Sequence, residues 1–360
     1  MTDPTVVPVE DLVKDAIKEA IAKRAGAEKV KDEIDELGDI PSAKAEIKVT
    51  KILREGQKMA SKVFTDILFR DKDFPVSVLS ATNWHEGIRQ FIPVADPNYV
   101  LDKDLVMDIL KAWENKEKIL ITGPTGAGKS TIIEQICARV GRPFLRINCA
   151  GDMDSSMIFG QQVAKDGSTI WTGGTVTEAV KYGAVFGWDE WDVTPPEISM
   201  GLQWLLEDKG CLFLKEKPGA SKDKFITPHF QFRLVAIGNT QGQGDDTGSH
   251  AGTNVQNVAT LDRFGLCLRV GYMTEAVESK MLLGKFPSFT KEYVLNLVKF
   301  ANLIRQGYTT GQLGLTVSPR TTIAVCTKIY KQAYSLREAV ERVYFNKLTE
   351  NHQKVAKELF

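Results

Sequence analysis

The stretch "GPTGAGKS", Gly123 to Ser130, constrains this chain more than any other. It satisfies G-x-x-x-x-G-K-[ST]. It lies between "KILIT", an apolar run of strand length, and "KSTIIEQICARV", which has helical periodicity. Glycines let backbone N–H groups turn inward around phosphate oxygens, and the helix that follows presents its positive N-terminal end to them. Gly123, Pro124, Thr125, Gly126, Ala127, Gly128, Lys129, Ser130 and Thr131 are therefore the expected nucleotide-binding residues. Lys129 is expected to reach the β- and γ-phosphates, and the Ser130 hydroxyl to ligate Mg²⁺. The competing reading, a chance Gly-rich turn, does not account for the strand–turn–helix setting.

The rest of the chain agrees with an α/β fold. From Leu105, runs of strand and helix character alternate: "LVMDILKAW" as helix, "KILIT" as strand, then the P-loop helix, "PFLRIN", "VTEAVKYG", "AVFGW", "PPEISMGLQWLLEDKG" and "FRLVAIGN". Strands this short and apolar, separated by helices, predict a mainly parallel sheet with helices on both faces. After Tyr272 the pattern is helical, as in "KEYVLNLVKFANLIRQ" and "PRTTIAVCTKIYKQAY". The expected organisation is an N-terminal helical region over 1–75, a linker over 76–104, an α/β core over 105–271 and a small α-helical lid over 272–360.

A bound nucleoside triphosphate needs a carboxylate for its magnesium and a base for the attacking water. "AVFGWDEWD" supplies both at the end of an expected core strand, whose carboxyl end opens into the P-loop crevice. Asp189 is the expected metal carboxylate and Glu190 the catalytic base. Asn239 ends "LVAIGNT", either as a turn-forming residue or as a hydrogen-bond partner of the lytic water or γ-phosphate. Asn148 ends "FLRIN", either as a turn residue or as a group that holds Glu190 in an inactive rotamer. Arg263 in "LDRF" and Arg320 in "SPR" are candidate cations for transition-state charge, although a lone Arg is more often a surface ion pair.

With the P-loop, "WDEWD", "AIGNT", "LDRF" and "SPR" in this order, the chain resembles AAA+ ATPases of the MoxR and chelatase group. More narrowly it resembles the CobS-type subunits of cobaltochelatase, through "FIPVADPNYV" and "PHFQFRLVAIGNTQGQGDDTGSHAGTNVQN" before "LDRF". The resemblance covers roughly residues 90 to 345. It implies an AAA+ P-loop core followed by a helical lid, a homo-hexameric ring with ATP and Mg²⁺ at the subunit interfaces, and a partner carrying a von Willebrand factor A-type domain. It matches Asn239 to sensor 1, Arg320 to sensor 2 in cis or in trans, and Arg263 to the finger acting on the neighbouring subunit's nucleotide. "IFGQQVAKDGSTIWTGG" corresponds to the hairpin inserted in helix 2, and "GCLFLKEKPGASKDKFITPHF" to the hairpin before sensor 1. The chain departs from its relatives at Gly187, which weakens the acidic strand, and at the bulky Trp188 and Trp191, whose expected role is packing.

Composition narrows the alternatives. With 46 basic and 46 acidic residues the formal charge is zero, which gives no support for a nucleic-acid or membrane-surface protein. The hairpin insert "QQVAKDGSTIWTGG", which lines the central pore in the rings the chain resembles, has one Lys, one Asp and one Trp and so lacks a basic footprint, which makes a nucleic-acid motor the less expected reading. The scattered Cys137, Cys149, Cys211, Cys267 and Cys326 read as reduced thiols of a cytoplasmic protein, and no leader or membrane-length apolar run is visible. His85, His229, His250 and His352 show no ligand spacing, so no cobalt or corrin site is identifiable. The expected activity is ATP hydrolysis coupled to remodelling of a partner protein. Two forms of that work are open: the chain is the ATPase subunit of a metal chelatase that inserts cobalt into a tetrapyrrole, or it is a MoxR-type chaperone acting with a von Willebrand factor A-domain protein without tetrapyrrole chemistry.

Overall fold

The computed structural model describes residues 56–65, 74–242 and 256–360. Most of the expected N-terminal helical region, and the segment "QGDDTGSHAGTNV" with its His250, lie outside the described residues.

Two short strands, β1 (Gln57–Met59) and β2 (Pro75–Ser77), pair antiparallel at the entry to the core. Helix α1 (Lys103–Glu114) follows, capped by Asp102, whose side chain accepts from the N–H groups of Asp104 and Leu105. Strand β3 (Ile119–Thr122) leads through the P-loop into α2 (Lys129–Val140), and β4 (Phe144–Asn148) comes next. A one-turn helix α3 (Ser155–Phe159) opens into an antiparallel hairpin, β5 (Gly160–Lys165) and β6 (Ser168–Gly173), before α4 (Thr175–Tyr182). The acidic strand is β7 (Val185–Asp189), followed by α5 (Pro196–Gln203). A second small hairpin, β8 (Leu212–Phe213) with β9 (Phe225–Ile226), precedes β10 (Arg233–Gly238) and β11 (Leu266–Arg269).

The central sheet runs β11-β3-β10-β7-β4, and every pairing in it is parallel. Side chains alternate between its faces, as the pleat requires. Ile119, Ile121, Val185, Val235 and Ile237 pack on one side with Ile109 and Trp113 of α1 and Ile133 and Ile136 of α2. Leu120, Phe186, Trp188, Leu234 and Ala236 pack on the other with Val176 and Val180 of α4 and Leu202 of α5. The expected α/β architecture with helices on both faces is therefore the observed one.

Beyond Tyr272 the chain forms α6 (Glu275–Lys285), α7 (Lys291–Thr309), α8 (Pro319–Gln332), α9 (Leu336–Val343) and α10 (Glu350–Glu358). These have their own core around Leu282, Val298, Ile304, Cys326 and Val340. Inside it, Arg305 and Glu278 form a buried ion pair at 2.8 Å, to which the Thr322 hydroxyl adds a hydrogen bond. Among the described residues no helix is long and apolar enough to cross a membrane.

Four elements differ from the sequence reading. The fifth strand, β11, was not expected: its four residues "LCLR" alternate between half-buried and exposed, which is the signature of an edge rather than a core strand. The helix expected over "PPEISMGLQWLLEDKG" ends at Gln203 and tightens into a 3₁₀ turn over Trp204–Leu206. Helices α6 and α10 also add to the helices read from the sequence after Tyr272.

Candidate functional site

The sheet register gathers the site. Thr122, the last residue before the P-loop, lies beside Gly238, and Asp189 lies between Ile237 on one side and Asn148 on the other. The P-loop, the acidic pair and Asn239 therefore leave the same carboxyl-terminal edge of the sheet, where ligands of parallel α/β sheets bind.

Within the P-loop, Gly126 has φ +76° and lies against the lid. A Cβ there would come within 2.5 Å of the Ser318 Cβ, so neither the backbone angle nor the space admits another residue. Lys129 starts α2 and folds back, its Nζ donating to the carbonyls of Gly123 at 2.7 Å and Pro124 at 3.0 Å, and to Asn239 Oδ1 at 2.9 Å. Burial pulls its ammonium below the ordinary lysine value, against the opposing charges of Glu190 and Asp189. The Ser130 hydroxyl donates to Asp189 Oδ2 at 2.7 Å. These two oxygens are the donor pair expected for a magnesium ion.

Arg146, on β4, also reaches Asp189, with Nε 3.3 Å from Oδ2. It crosses Gly187, where a Cβ would stand 3.2 Å from Arg146 Cγ and 2.6 Å from the Phe144 ring. The glycine that departs from the usual β-branched strand is thus the position over which β4 side chains close on the acidic strand.

Glu190 sits just past β7 in the left-handed region, φ +54°, which is uncommon for a side chain of this size. Its Oε2 accepts from Asn239 Nδ2 at 2.7 Å. A single amide thus bridges Lys129 and Glu190. Burial and the charges of Asp192 and Asp189 hold the Glu190 carboxyl above its ordinary value, while Asn239 and Lys129 act in the opposite direction. Asn148 does not hold Glu190. Its residue is exposed at the end of β4, and the side chain that reaches Glu190 is Asn239.

The two arginines part company. Arg320, exposed in the first turn of α8, is near enough to Lys129 for its charge to disfavour that ammonium. Arg263 is not brought to its own P-loop: it pairs with Glu207 and donates to the Ala259 carbonyl. Trp188 and Trp191 are fully buried and meet edge-to-face at 6.2 Å, and Trp191 packs on Phe264 at 5.8 Å. Both are packing residues, as expected, and the Trp188 indole is anchored on the Thr194 hydroxyl at 2.8 Å.

Two contacts at this edge were not read from the sequence. Asp192, the last carboxyl group of "WDEWD", is fully buried and receives hydrogen bonds from Asn239 and Thr240. Tyr272 donates from its hydroxyl to the Thr125 carbonyl at 3.1 Å and lies under the Arg305 guanidinium at 4.6 Å, which ties the P-loop to the lid. The third carboxyl of "WDEWD" was a visible signal for the first; nothing local marks the second.

Beside Ala127 and Gly128 a cavity of about 550 Å³ opens between the core and the start of the lid, lined by Tyr99, Leu101, Val270, Tyr272 and Met273. Its size and mixed apolar and polar lining suit a nucleoside next to the phosphate loop.

Fold and site together define a P-loop nucleoside triphosphatase of AAA+ type, with a helical lid over the phosphate loop. Residues 118–264 match the AAA domain of the dynein-related subfamily. The aerobic cobaltochelatase subunit CobS of a Sinorhizobium species is 32% identical over 241 residues, 65% of this chain and 71% of that one. Midasin of Dictyostelium discoideum is 30% identical over 223 residues, 60% of this chain but 4% of the larger protein. NorQ of Paracoccus denitrificans is 33% identical over 116 residues, 32% of this chain and 43% of that one. Among solved structures, the RuvB Holliday junction branch migration motor of Thermotoga maritima aligns over 73% of this chain and 71% of its own, at 15% identity and a TM-score of 0.39. The chain belongs to the MoxR-type AAA+ ATPases that include CobS, and it is a nucleotide-binding enzyme that hydrolyses ATP.

Proposed function

We propose that this ATPase works as a ring-shaped homo-hexamer of CobS type and remodels a partner protein carrying a von Willebrand factor A-type domain. The observation that carries the catalytic part is the Asn239 bridge between Lys129 and Glu190, which sets a cation, a sensor amide and a base around one point. Gly123 to Thr131 cradle the phosphates. The Ser130 hydroxyl and the Asp189 carboxylate, 2.7 Å apart, are hard oxygen donors of the kind Mg²⁺ takes, so the residues present fit that ion. When bound, magnesium neutralises charge on the β- and γ-phosphate oxygens. Lys129 leaves its carbonyl partners for phosphate, Glu190 accepts a proton from the attacking water, and Asn239 orients that water.

Arg320 is assigned to the same subunit's nucleotide, because Ser318, two residues before it, lies against Gly126 of its own chain's P-loop. Arg263 is assigned to the neighbour's nucleotide, because in its own chain it is held on Glu207, away from the P-loop. A site completed in trans needs a neighbouring subunit, which a closed ring supplies at every interface. The partner is the finer part of the proposal: the CobS relative is a cobaltochelatase subunit, and cobalt insertion into a tetrapyrrole is one form of the motor's work. The 32% identity over 65% of the chain favours this form over a chaperone acting without tetrapyrrole chemistry.

The test is ATPase stimulation. A von Willebrand factor A-domain protein from the same host is expected to raise hydrolysis and to co-sediment with the ATP-bound ring. Stimulation by single-stranded DNA at physiological salt, without any response to such a protein, would overturn the proposal.

A further inference from the structure

Asp192 is one of the few fully buried carboxyl groups in the core, and one of its oxygens carries a disproportionate load. Oδ2 accepts from the backbone N–H of Asn239 at 3.0 Å, the backbone N–H of Thr240 at 2.7 Å and the Thr240 hydroxyl at 2.8 Å. Oδ1 is buried without a partner among the described residues. Burying a carboxyl group and leaving half of it unpaired costs stability that an apolar residue would not. Its yield is orientation: three donors from two consecutive residues converge on one oxygen, which fixes the turn after β10.

The backbone of Asp192 lies in a turn that starts at Glu190. A 3₁₀ turn spans Trp191–Val193, and its Val193 N–H returns to the Glu190 carbonyl at 3.0 Å. The Asp192 carbonyl accepts from Gln256 Nε2 at 3.3 Å, and Ser199 on α5 donates to Gln256 Oε1 at 3.4 Å. Asp192 therefore stands in the turn that follows the base and bonds the residue whose amide holds the base.

We propose that Asp192 is a positioning residue for hydrolysis, which holds the Asn239 side chain between Lys129 and Glu190 through the backbone of Asn239 and Thr240. Its carboxyl bonds go to the Asn239–Thr240 turn, and it acts through Asn239. The proposal rests on the role given above to Asn239, and the two can fail separately.

The experiment compares Asp192→Ala, Asp192→Asn, Asn239→Ala and the Asp192→Ala/Asn239→Ala double variant in the full chain. It measures ATP affinity with a fluorescent analogue, kcat per nucleotide-binding site, and melting temperature. Asp192→Ala is expected to lose about tenfold or more in kcat, the scale of a slightly misplaced catalytic group. Its ATP affinity should stay within about threefold, since the phosphate-loop contacts are untouched. Asp192→Asn should recover most of the lost kcat, because its amide oxygen can accept the same three hydrogen bonds. The double variant should be no slower than Asn239→Ala alone, because the two act as one unit.

A purely structural Asp192 would lower the melting temperature while leaving kcat per binding site intact, and that result overturns the proposal. So does a double variant whose losses multiply. Wild-type kcat in Asn239→Ala removes the reading of the site and the proposal with it, whereas a slow Asn239→Ala beside a normal Asp192→Ala removes the proposal alone. If Asp192→Ala does not fold, Thr240→Val deletes one of the three bonds and is expected to slow kcat about two- to threefold at unchanged affinity. An unchanged kcat in that variant is contrary to the proposal.

Discussion

Arg146 lies across Gly187 and brings its guanidinium to 3.3 Å from the Asp189 carboxylate, the group proposed to hold magnesium. Its charge therefore competes with any cation at that carboxylate. The Arg146→Gln variant should lower the Mg²⁺ concentration needed for half-maximal binding of a fluorescent ATP analogue by a few fold. The effect is modest because the Arg146 side chain is 42% exposed and partly screened by water. Gly187→Ala should shift it the same way but also lose about 1–3 kcal/mol in denaturant unfolding, because its Cβ meets the Phe144 ring.

The Glu190 carboxyl is held above its ordinary value mainly by burial, then by the charge of Asp192. A group whose pKa is raised by folding contributes stability that is present below the unfolded value of about 4.5 and lost as pH rises through the folded value. Ionised Glu190 therefore destabilises the folded chain near neutral pH. Glu190→Gln, which still accepts from Asn239, should melt at a higher temperature than the wild type there. The advantage should shrink on acidification toward the unfolded value, which melting curves across pH will show. The same raised pKa places the acid limb of the ATPase pH profile above that of an ordinary glutamate.

The lid depends on a buried charge pair. Glu278→Ala leaves the Arg305 guanidinium buried with only Asn302 and the Val317 carbonyl as hydrogen-bond partners, and should cost about 3–5 kcal/mol in unfolding. Arg305 also stacks on Tyr272, which bonds the P-loop at Thr125, so ATP affinity should fall alongside stability. Tyr272→Phe, which keeps the stacking and removes only the hydroxyl, should weaken ATP binding with little change in melting.

Arg263 and Lys129 are assigned to one nucleotide from two chains. Rings of Arg263→Ala alone, or of Lys129→Ala alone, should be inactive in steady-state hydrolysis. Mixing the two should restore part of the rate, because some interfaces pair an intact P-loop with an intact Arg263. Mixtures that stay inactive contradict action in trans.

The parts of this molecule that were legible in the sequence are local ones. The P-loop occupies eight consecutive residues with an obligatory strand–turn–helix setting, and Asp189 and Glu190 follow an apolar run of strand length that gains its meaning from that P-loop. The β5–β6 hairpin, resting on the family pattern, also lies where it was expected. What stayed hidden depends on pairing across long stretches of chain. Arg146 reaches Asp189 only because β4 lies beside β7, and Asp192 reaches Asn239 across 47 residues through the β7–β10 pairing. Strand β11 escaped notice because an edge strand needs only one buried face, and "LCLR" shows no continuous apolar run. Asn148 was weighed as the residue that holds Glu190, since both stand at strand ends. The side-chain geometry, which strand-end position does not determine, gave that contact to Asn239.

Glu190 is proposed to activate water at a site whose nucleotide binding does not need it. The most direct test measures ATP binding and steady-state hydrolysis on the same preparation of Glu190→Gln. Loss of a positioned general base costs about 10²–10⁴ in rate. A loss of that size or more is expected, with ATP affinity close to the wild type; hydrolysis near the wild-type rate would remove Glu190 from the role of base.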